Sequence, residues 1–344
     1  MAVPRAIPPI NRLRVAGRLT GMMSEDDLIA RFFAPLAGEG AFGLLDDAAA
    51  IAPPSGCEFV ITKDMLVCGG HFFADDPPFN IAQKLMRVNL SDLAAKGATP
   101  FGFFLGLALP KGISEDWLAA FAAGLAQDAR EFGFVLLGGD TVKGPLTLSL
   151  TALGTVPKGK MVRRTGMRAG DKIYVTGTIG DAALGLKLRQ NADWRAALAA
   201  EAREFLLQRY LVPCPRNSLA AAVQRLASGA MDVSDGFIGD LSKMARVSGV
   251  SAQVELARVP LSPAARAVTA MDGSLFEVAL TGGDDYELLV AVAREHCAPF
   301  EAAAHAAGVA VTCVGEAVAG TQPPVFVDAS GMSRRFVQPS YSHF

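Results

Sequence analysis

The sequence predicts a two-domain α/β (α+β) protein, and three observations carry that expectation. At 344 residues the chain is long for one compact core, so two domains with sizeable cores are the better prior. Short apolar, strand-like runs alternate with helical stripes along its length. Between them, residues 156–170 turn basic and glycine-rich, as a domain junction does, and a second α/β unit begins beyond. The division is therefore an extension over 1–23, an N-terminal domain over 24–155 and a C-terminal domain over 156–344.

Composition narrows the function. Charged residues make up 19% and hydrophobic residues 51%, which describes a folded chain. A net charge of -2 argues against a nucleic-acid binder, which needs a basic face. Cys57, Cys68, Cys214, Cys297 and Cys313 are widely spaced with no CxxC, so neither a disulfide framework nor a zinc site is implied and a reducing cytoplasm fits. The apolar run 101–109 is too short to span a bilayer, and residues 1–21 lack the apolar core of a secretory signal and read as a mobile extension.

Taken in order, residues 26–36 predict a helix with Leu28, Ile29, Phe32, Phe33 and Leu36 on one stripe and Ser24 as its cap. In residues 44–51 two acids, Asp46 and Asp47, interrupt an apolar strand-like segment, and residues 59–62 read as a strand ending at Lys63 and Asp64. A helix from Asn80 stops at Lys96-Gly97, glycine being favoured in a left-handed cap. Its stripe runs Ile81, Leu85, Val88, Asp92, Ala95, so Asp92 points at the core. A carboxylate there is costly unless paired or metal-bound. Asn89 lies on the same side, whereas Lys84 and Arg87 read as facing other directions. Residues 114–132 form a second helix, feeding a strand, 135–137, that ends in Gly138-Gly139-Asp140-Thr141. Two glycines there let backbone amides approach an anion while the acid is free for a metal. Residues 146–151 alternate as a half-buried strand does.

In the second unit, residues 172–176 predict a strand, 177–180 a turn, 181–189 a helix, and 194–210 a long helix closed by Pro213 and Pro215. Residues 252–256 and 288–292 read as strands, and 281–287 as a glycine turn carrying Asp284 and Asp285. Ahead of a helical run, Met231-Asp232-Val233-Ser234-Asp235-Gly236 admits two readings. Ser234 or Asp235 is a helix N-cap, or the acids await a hard cation such as Mg²⁺, which takes oxygen ligands and bridges carboxylates to phosphates.

Gly154 to Lys160 matches seven places of a phosphate-binding loop, but Met161 stands where the Mg²⁺-binding hydroxyl belongs and no apolar helix opens, so a strand-turn connection is expected. His71, beside Phe72 and Phe73, reads as a packed histidine or a functional one. Arg163-Arg164 offers a bidentate fork for phosphate. Asp46, Asp47, Asp64, Asp92, Asp140, Asp232 and Asp235 sit in similar local contexts; if they converge, their repulsion calls for cations. Several Mg²⁺ ions carrying a nucleoside triphosphate resolve that conflict, and an acid-rich, arginine-supplemented site suits phosphoryl transfer.

Leu45-Asp46-Asp47, Thr62-Lys63-Asp64, Gly70-His71-Phe72, Val88-Asn89-Leu90-Ser91-Asp92-Leu93-Ala94-Ala95, Leu137-Gly138-Gly139-Asp140-Thr141, Tyr174-Val175-Thr176-Gly177-Thr178-Ile179-Gly180-Asp181, Asp232-Val233-Ser234-Asp235-Gly236 and Gly282-Gly283-Asp284-Asp285-Tyr286-Glu287-Leu288, in that order, resemble the thiamine-monophosphate kinases. The resemblance runs from about Ser24 to Phe344. It implies the two-domain fold of the aminoimidazole ribonucleotide synthetase-like superfamily, an N-terminal sheet that forms a homodimer, and a cytoplasmic enzyme that makes thiamine diphosphate from ATP and thiamine monophosphate, with no nucleic-acid or membrane partner. Carried over by motif, Asp47, Thr62, Asp64, Asp92, Asp140, Asp232 and Asp235 hold Mg²⁺ ions, and Asp92, Asp140 and Asp235 act through them in catalysis. Gly139, Asp140, Arg164 and Ser234 contact ATP; His71, Asp284 and Tyr341 meet the thiamine monophosphate. The acceptor phosphate is already ionised, so no general base is implied. Leu45 stands where the family usually has glycine, Lys63 where it often has a small hydroxyl residue, and Asp284 where glutamate is common. The competing expectations are a sister ATP-dependent ligase or cyclase, and a nucleotide sensor that has lost turnover.

Overall fold

A computed structural model describes residues 24–341. Its N-terminal part contains α1 (Glu25–Leu28), β1 (Cys57–Val67), α2 (Pro78–Ala95), β2 (Thr99–Leu109), α3 (Glu115–Phe132), β3 (Val135–Lys143) and β4 (Thr147–Pro157). The four strands form one sheet in the order β1-β4-β2-β3, antiparallel except for the β2–β3 pair, which the α3 crossover makes parallel. Both long helices have readable ends. Pro78 opens α2 where a missing N–H costs nothing, and Gly97 follows it at φ +71°. Ser114 accepts the Trp117 amide at 3.1 Å to start α3, and Gly133 closes it in the left-handed region. Together α2 and α3 bury one face of the sheet through Leu85, Met86, Leu90, Phe103, Phe121, Leu148 and Leu150.

The C-terminal part contains β5 (Lys172–Thr176), α4 (Asp181–Arg189), α5 (Ala200–Leu211), α6 (Ala220–Leu226), β6 (Ala227–Val233), α7 (Phe237–Ser248), β7 (Ser251–Glu255), α8 (Pro263–Met271), α9 (Leu275–Thr281), β8 (Glu287–Val292), α10 (Cys297–Ala306), β9 (Val311–Val318), β10 (Val325–Val327) and β11 (Ser333–Arg334). These strands form a seven-stranded sheet in the order β11-β10-β7-β9-β5-β8-β6. Edge strand β6 lies beside the end of α2: Ala94 and Ala95 share a core with Ala230, Leu288 and Val290, and Lys96 Nζ donates to the Ala230 carbonyl at 2.9 Å. So α2 belongs to one sheet and roofs the edge of the other.

Several expectations need correction. Only Glu25–Leu28 of the first helix is α-helical; a π-turn and a 3-10 turn follow, the latter around Pro35, although Ser24 does cap it. Residues 44–51 form no strand. Phe42, Gly43 and Leu44 all take positive φ, and the loop leaves Leu45 92% exposed. β1 continues through Lys63 and Asp64 to Val67, and Gly138-Gly139-Asp140-Thr141 lies inside β3 instead of ending it. The long helix expected over 194–210 divides into a 3-10 turn, Asp193–Ala197, and α5. Gly154 lies in β4, which runs to Pro157, and a turn and then only a 3-10 turn, Arg164–Gly166, follow, which is the strand-turn connection expected there. The extension before Ser24 lies outside the described residues.

Candidate active site

Where the two sheets meet, a cavity of about 350 Å³ is lined by Asp64, His71, Asp92, Arg164, Asp232, Ser234, Asp235, Asp284 and Tyr341, among others. Its walls come from separate elements. Alternation along β1 sends Thr62 and Asp64 to the face that α2 covers, and Thr62 donates a short hydrogen bond to Asp92. Asp232 is the penultimate residue of β6, paired with Leu288 in β8, so the turn after β6 and the loop before β8 emerge together. Main-chain bonds join them: the Asp284 amide donates to Ser234 O at 2.9 Å and the Tyr286 amide to Val233 O at 2.8 Å. Gly283 is required at this seam, because a Cβ there would sit 2.3 Å from the Ser234 carbonyl oxygen. The chain's tail closes the rim, the Tyr341 amide donating to Asp235 O at 3.0 Å.

The cavity is strongly acidic. Burial raises the Asp64 carboxyl to about 7, with Asp92 and then Asp235 adding repulsion. Asp232, buried at the end of β6, is pushed well above the ordinary range by burial and then by Asp92. Two lysines answer part of this charge. Lys243 Nζ bonds Asp235 at 2.5 Å and Asp240 at 3.1 Å. The Lys96 ammonium is depressed by burial while Asp232 and Asp92 oppose the shift. Among the described residues no three acidic, histidine or cysteine side chains are gathered tightly enough to ligate one ion. The carboxylates that line the cavity, Asp64, Asp92, Asp232 and Asp235, nevertheless offer hard oxygens, and their mutual repulsion is the state a divalent cation relieves, so they fit Mg²⁺.

Asp47, Gly139 and Asp140 are elsewhere. They line a second cavity, of about 570 Å³, on the opposite face of the N-terminal sheet, with Asp46, Lys63, Ser149 and Thr151. Lys63 Nζ there donates to Ser149 Oγ at 2.5 Å. Gly139 has a packing reason as well: a Cβ would lie 2.0 Å from the Leu105 carbonyl oxygen. The seven expected metal residues therefore divide between two faces of β1, with Thr62 reaching the first cavity through Asp92.

Two readings of single residues change. Neither Ser234 nor Asp235 caps α7; Gly236 holds that place at φ +110°, and Asp240 inside the helix reaches back to accept the Ser234 and Asp235 amides at 3.0 and 2.9 Å. Lys84 does not face away. It is 2% exposed and bonds Asp284 Oδ2 at 2.8 Å, while Arg87 pairs with Asp128 at 2.7 Å. A signal for Lys84 was present, since it stands three residues after Ile81 and four before Val88, on the same helical stripe. Asp285 and Glu287 were also missed as supports. Asp285 accepts the Gly180 amide at 2.7 Å, capping α4 from a distance, and Glu287 is gripped by Arg209, Arg216 and Thr176.

Comparison with known proteins agrees with this architecture. Residues 45–156 match the family model for the AIR synthase related protein N-terminal domain, and residues 168–328 the corresponding C-terminal domain. A thiamine-monophosphate kinase of Caulobacter vibrioides is 43% identical over 93% of this chain and 87% of its own. The crystal structure of a thiamine-monophosphate kinase from Stenotrophomonas maltophilia superimposes with a TM-score of 0.77 at 38% identity, covering 85% of this chain and 91% of that one. A structure of AaThiL complexed with AMPPCP and TMP gives a TM-score of 0.75 at 26% identity, over 96% of this chain and all of that one (100%).

Proposed function

The chain belongs to the thiamine-monophosphate kinase family of AIR synthase related proteins, and from that premise we infer that it transfers the γ-phosphoryl group of ATP to thiamine monophosphate, giving ADP and thiamine diphosphate. The observation that carries the reading onto this chain's own residues is the cavity between the sheets. There Asp64, Asp92, Asp232 and Asp235 face Ser234, Arg164, His71, Asp284 and Tyr341. A neighbour that holds both an ATP analogue and TMP supports the same pair of substrates.

We assign the roles as follows. Asp64, Asp92, Asp232 and Asp235 would hold Mg²⁺, with Thr62 orienting Asp92; Asp47 and Asp140 would hold Mg²⁺ at the second cavity. When bound, Mg²⁺ would supply positive charge to offset that of the phosphates. Arg164 and Ser234 contact the nucleotide at the first cavity; Gly139 and Asp140, on the opposite sheet face, would meet a nucleotide held by a second copy of the chain. His71, Asp284 and Tyr341 orient the thiamine monophosphate. The nucleophile is a phosphate oxygen already ionised at neutral pH, so the chain has to bring two anions together and has no proton to remove. The ligase or cyclase alternative would share the acids and differ on the substrate wall, where the assigned residues support the kinase.

The exposed apolar residues of β1 support a homodimer built on the free face of the N-terminal sheet. A division near residue 156, and residence in the cytoplasm without nucleic-acid or membrane partners, complete the reading. No helix among the described residues is long and apolar enough to cross a membrane. Purified protein incubated with ATP, Mg²⁺ and thiamine monophosphate is expected to produce thiamine diphosphate. No product, where a known kinase of this family works, would overturn the assignment.

A further inference from the structure

Among the described residues, Lys84 is a buried ammonium that joins α2 to the substrate wall of the C-terminal sheet. Its Nζ bonds Asp284 Oδ2 at 2.8 Å and the His71 carbonyl at 3.1 Å, and it lies 4.0 Å from the centre of the Tyr210 ring. An anion, a carbonyl and a ring face account for a buried ammonium's donors. Three segments that are remote in sequence meet on one atom: the turn after β1, the loop before β8, and α5. Lys84 does not line the cavity, but His71 and Asp284 do. Its neighbour Arg87 is the useful contrast. Arg87 pairs with Asp128 and Glu131 of α3 and donates to the Pro213 carbonyl at 3.3 Å, contacts that include neither His71 nor Asp284.

The loop that Lys84 grips needs holding. Asp284 and Tyr286 adopt φ of +73° and +51°, a region that side chains disfavour, so the surroundings must determine their conformation. Asp285 pins the loop from behind through the Gly180 amide, leaving Asp284 to be fixed from the front. Lys84 does this while also fixing the carbonyl of the residue that forms the opposite part of the wall.

We propose that Lys84 is a positioning residue for thiamine monophosphate, setting Asp284 and His71 in one relative arrangement across the junction of the two sheets. With one carboxylate oxygen bound to Lys84, Asp284 meets the substrate as an oriented acceptor and not as a free anion. Lys84 makes no hydrogen bond to Ser234, Arg164, Gly139 or Asp140; its link to the nucleotide contacts runs only through the Asp284 main chain, so its main influence is on thiamine monophosphate. This rests on the functional reading above.

The test is calorimetric titration of thiamine monophosphate and, separately, of AMPPCP with Mg²⁺, into the unmodified protein, Lys84→Met, Asp284→Asn and the double variant. Lys84→Met is expected to weaken thiamine monophosphate by about tenfold or more and AMPPCP by less than about twofold, with the double variant within about threefold of the weaker single one because the two residues act as a unit. Unchanged thiamine monophosphate affinity, or equal weakening of both ligands, would overturn the proposal. If Lys84→Met does not fold, Lys84→Gln, which keeps a donor but no charge, carries the same readout. Failure of the unmodified protein to bind thiamine monophosphate would remove the functional reading and this inference with it.

Discussion

Among single residues, Asp92 concentrates the argument. It stands on α2 where an apolar side chain would pack, and it adds repulsion to both Asp64 and Asp232. A group kept for stability alone would not be placed so. Asp92→Asn is therefore expected to cut thiamine diphosphate formation by about a hundredfold or more, since electrostatic groups at a transferring phosphoryl carry much of the rate. Without metal, the variant should melt no lower than the parent, because a like charge has been removed from a buried pair. Near-normal turnover would show the carboxylate to be structural. Asp92 was legible in the sequence because a period of 3.6 exposes a polar residue on an apolar stripe. Lys84, on the same stripe, was not read so, because a long side chain's direction depends on a partner 200 positions away in sequence.

At the scale of elements, the loop between α9 and β8 is the part that most depends on its surroundings. Asp285 within it is buried, accepts the Gly180 and Ala182 amides at 2.7 and 3.4 Å, and has its carboxyl pushed well above the ordinary range by burial. A folded pKa raised above the unfolded value means that the folded state holds the proton more tightly. The associated stability is complete below the unfolded value of 3.8 and is lost as pH rises through the raised one. Asp285→Asn removes that titration. The melting temperature of the variant relative to the parent should therefore rise steadily from about pH 4 towards neutrality in thermal melts; a difference independent of pH would contradict the assignment. The helices α2 and α3 were legible, since Pro78, Gly97, Ser114 and Gly133 mark their ends locally. The loop at 44–51 was not. Its apolar residues suggested a strand, but positive φ at Phe42 and Leu44 turns the chain so that they never pair.

For the whole molecule, the sequence showed the acids but not their partition. Period-two alternation on β1 sends Asp64 to the covered face and Lys63 to the open one, so the two groups of carboxylates end up behind each other. No local pattern reveals that, because it depends on α2 choosing one side of a sheet. The open side has its own consequence. Ile61 is 62% exposed, Met65 51% and Val142 52%, and the registers of β1 with β4 and of β2 with β3 and β4 set all three on the same face as Ser149. Exposed apolar residues on the open face of both edge strands suit an interface between copies of the chain. The second cavity lies on that face, so a second copy seated there would shelter Asp140 and Lys63 as well. Ile61→Glu combined with Met65→Lys places charges on the apolar positions of β1's open face and should convert a dimer to a monomer in light-scattering measurements. It should also weaken nucleotide binding more than thiamine monophosphate binding, since two of the assigned nucleotide contacts, Gly139 and Asp140, line the cavity on that face and none of the assigned thiamine monophosphate contacts does. An unmodified protein already monomeric at micromolar concentration would refute the interface.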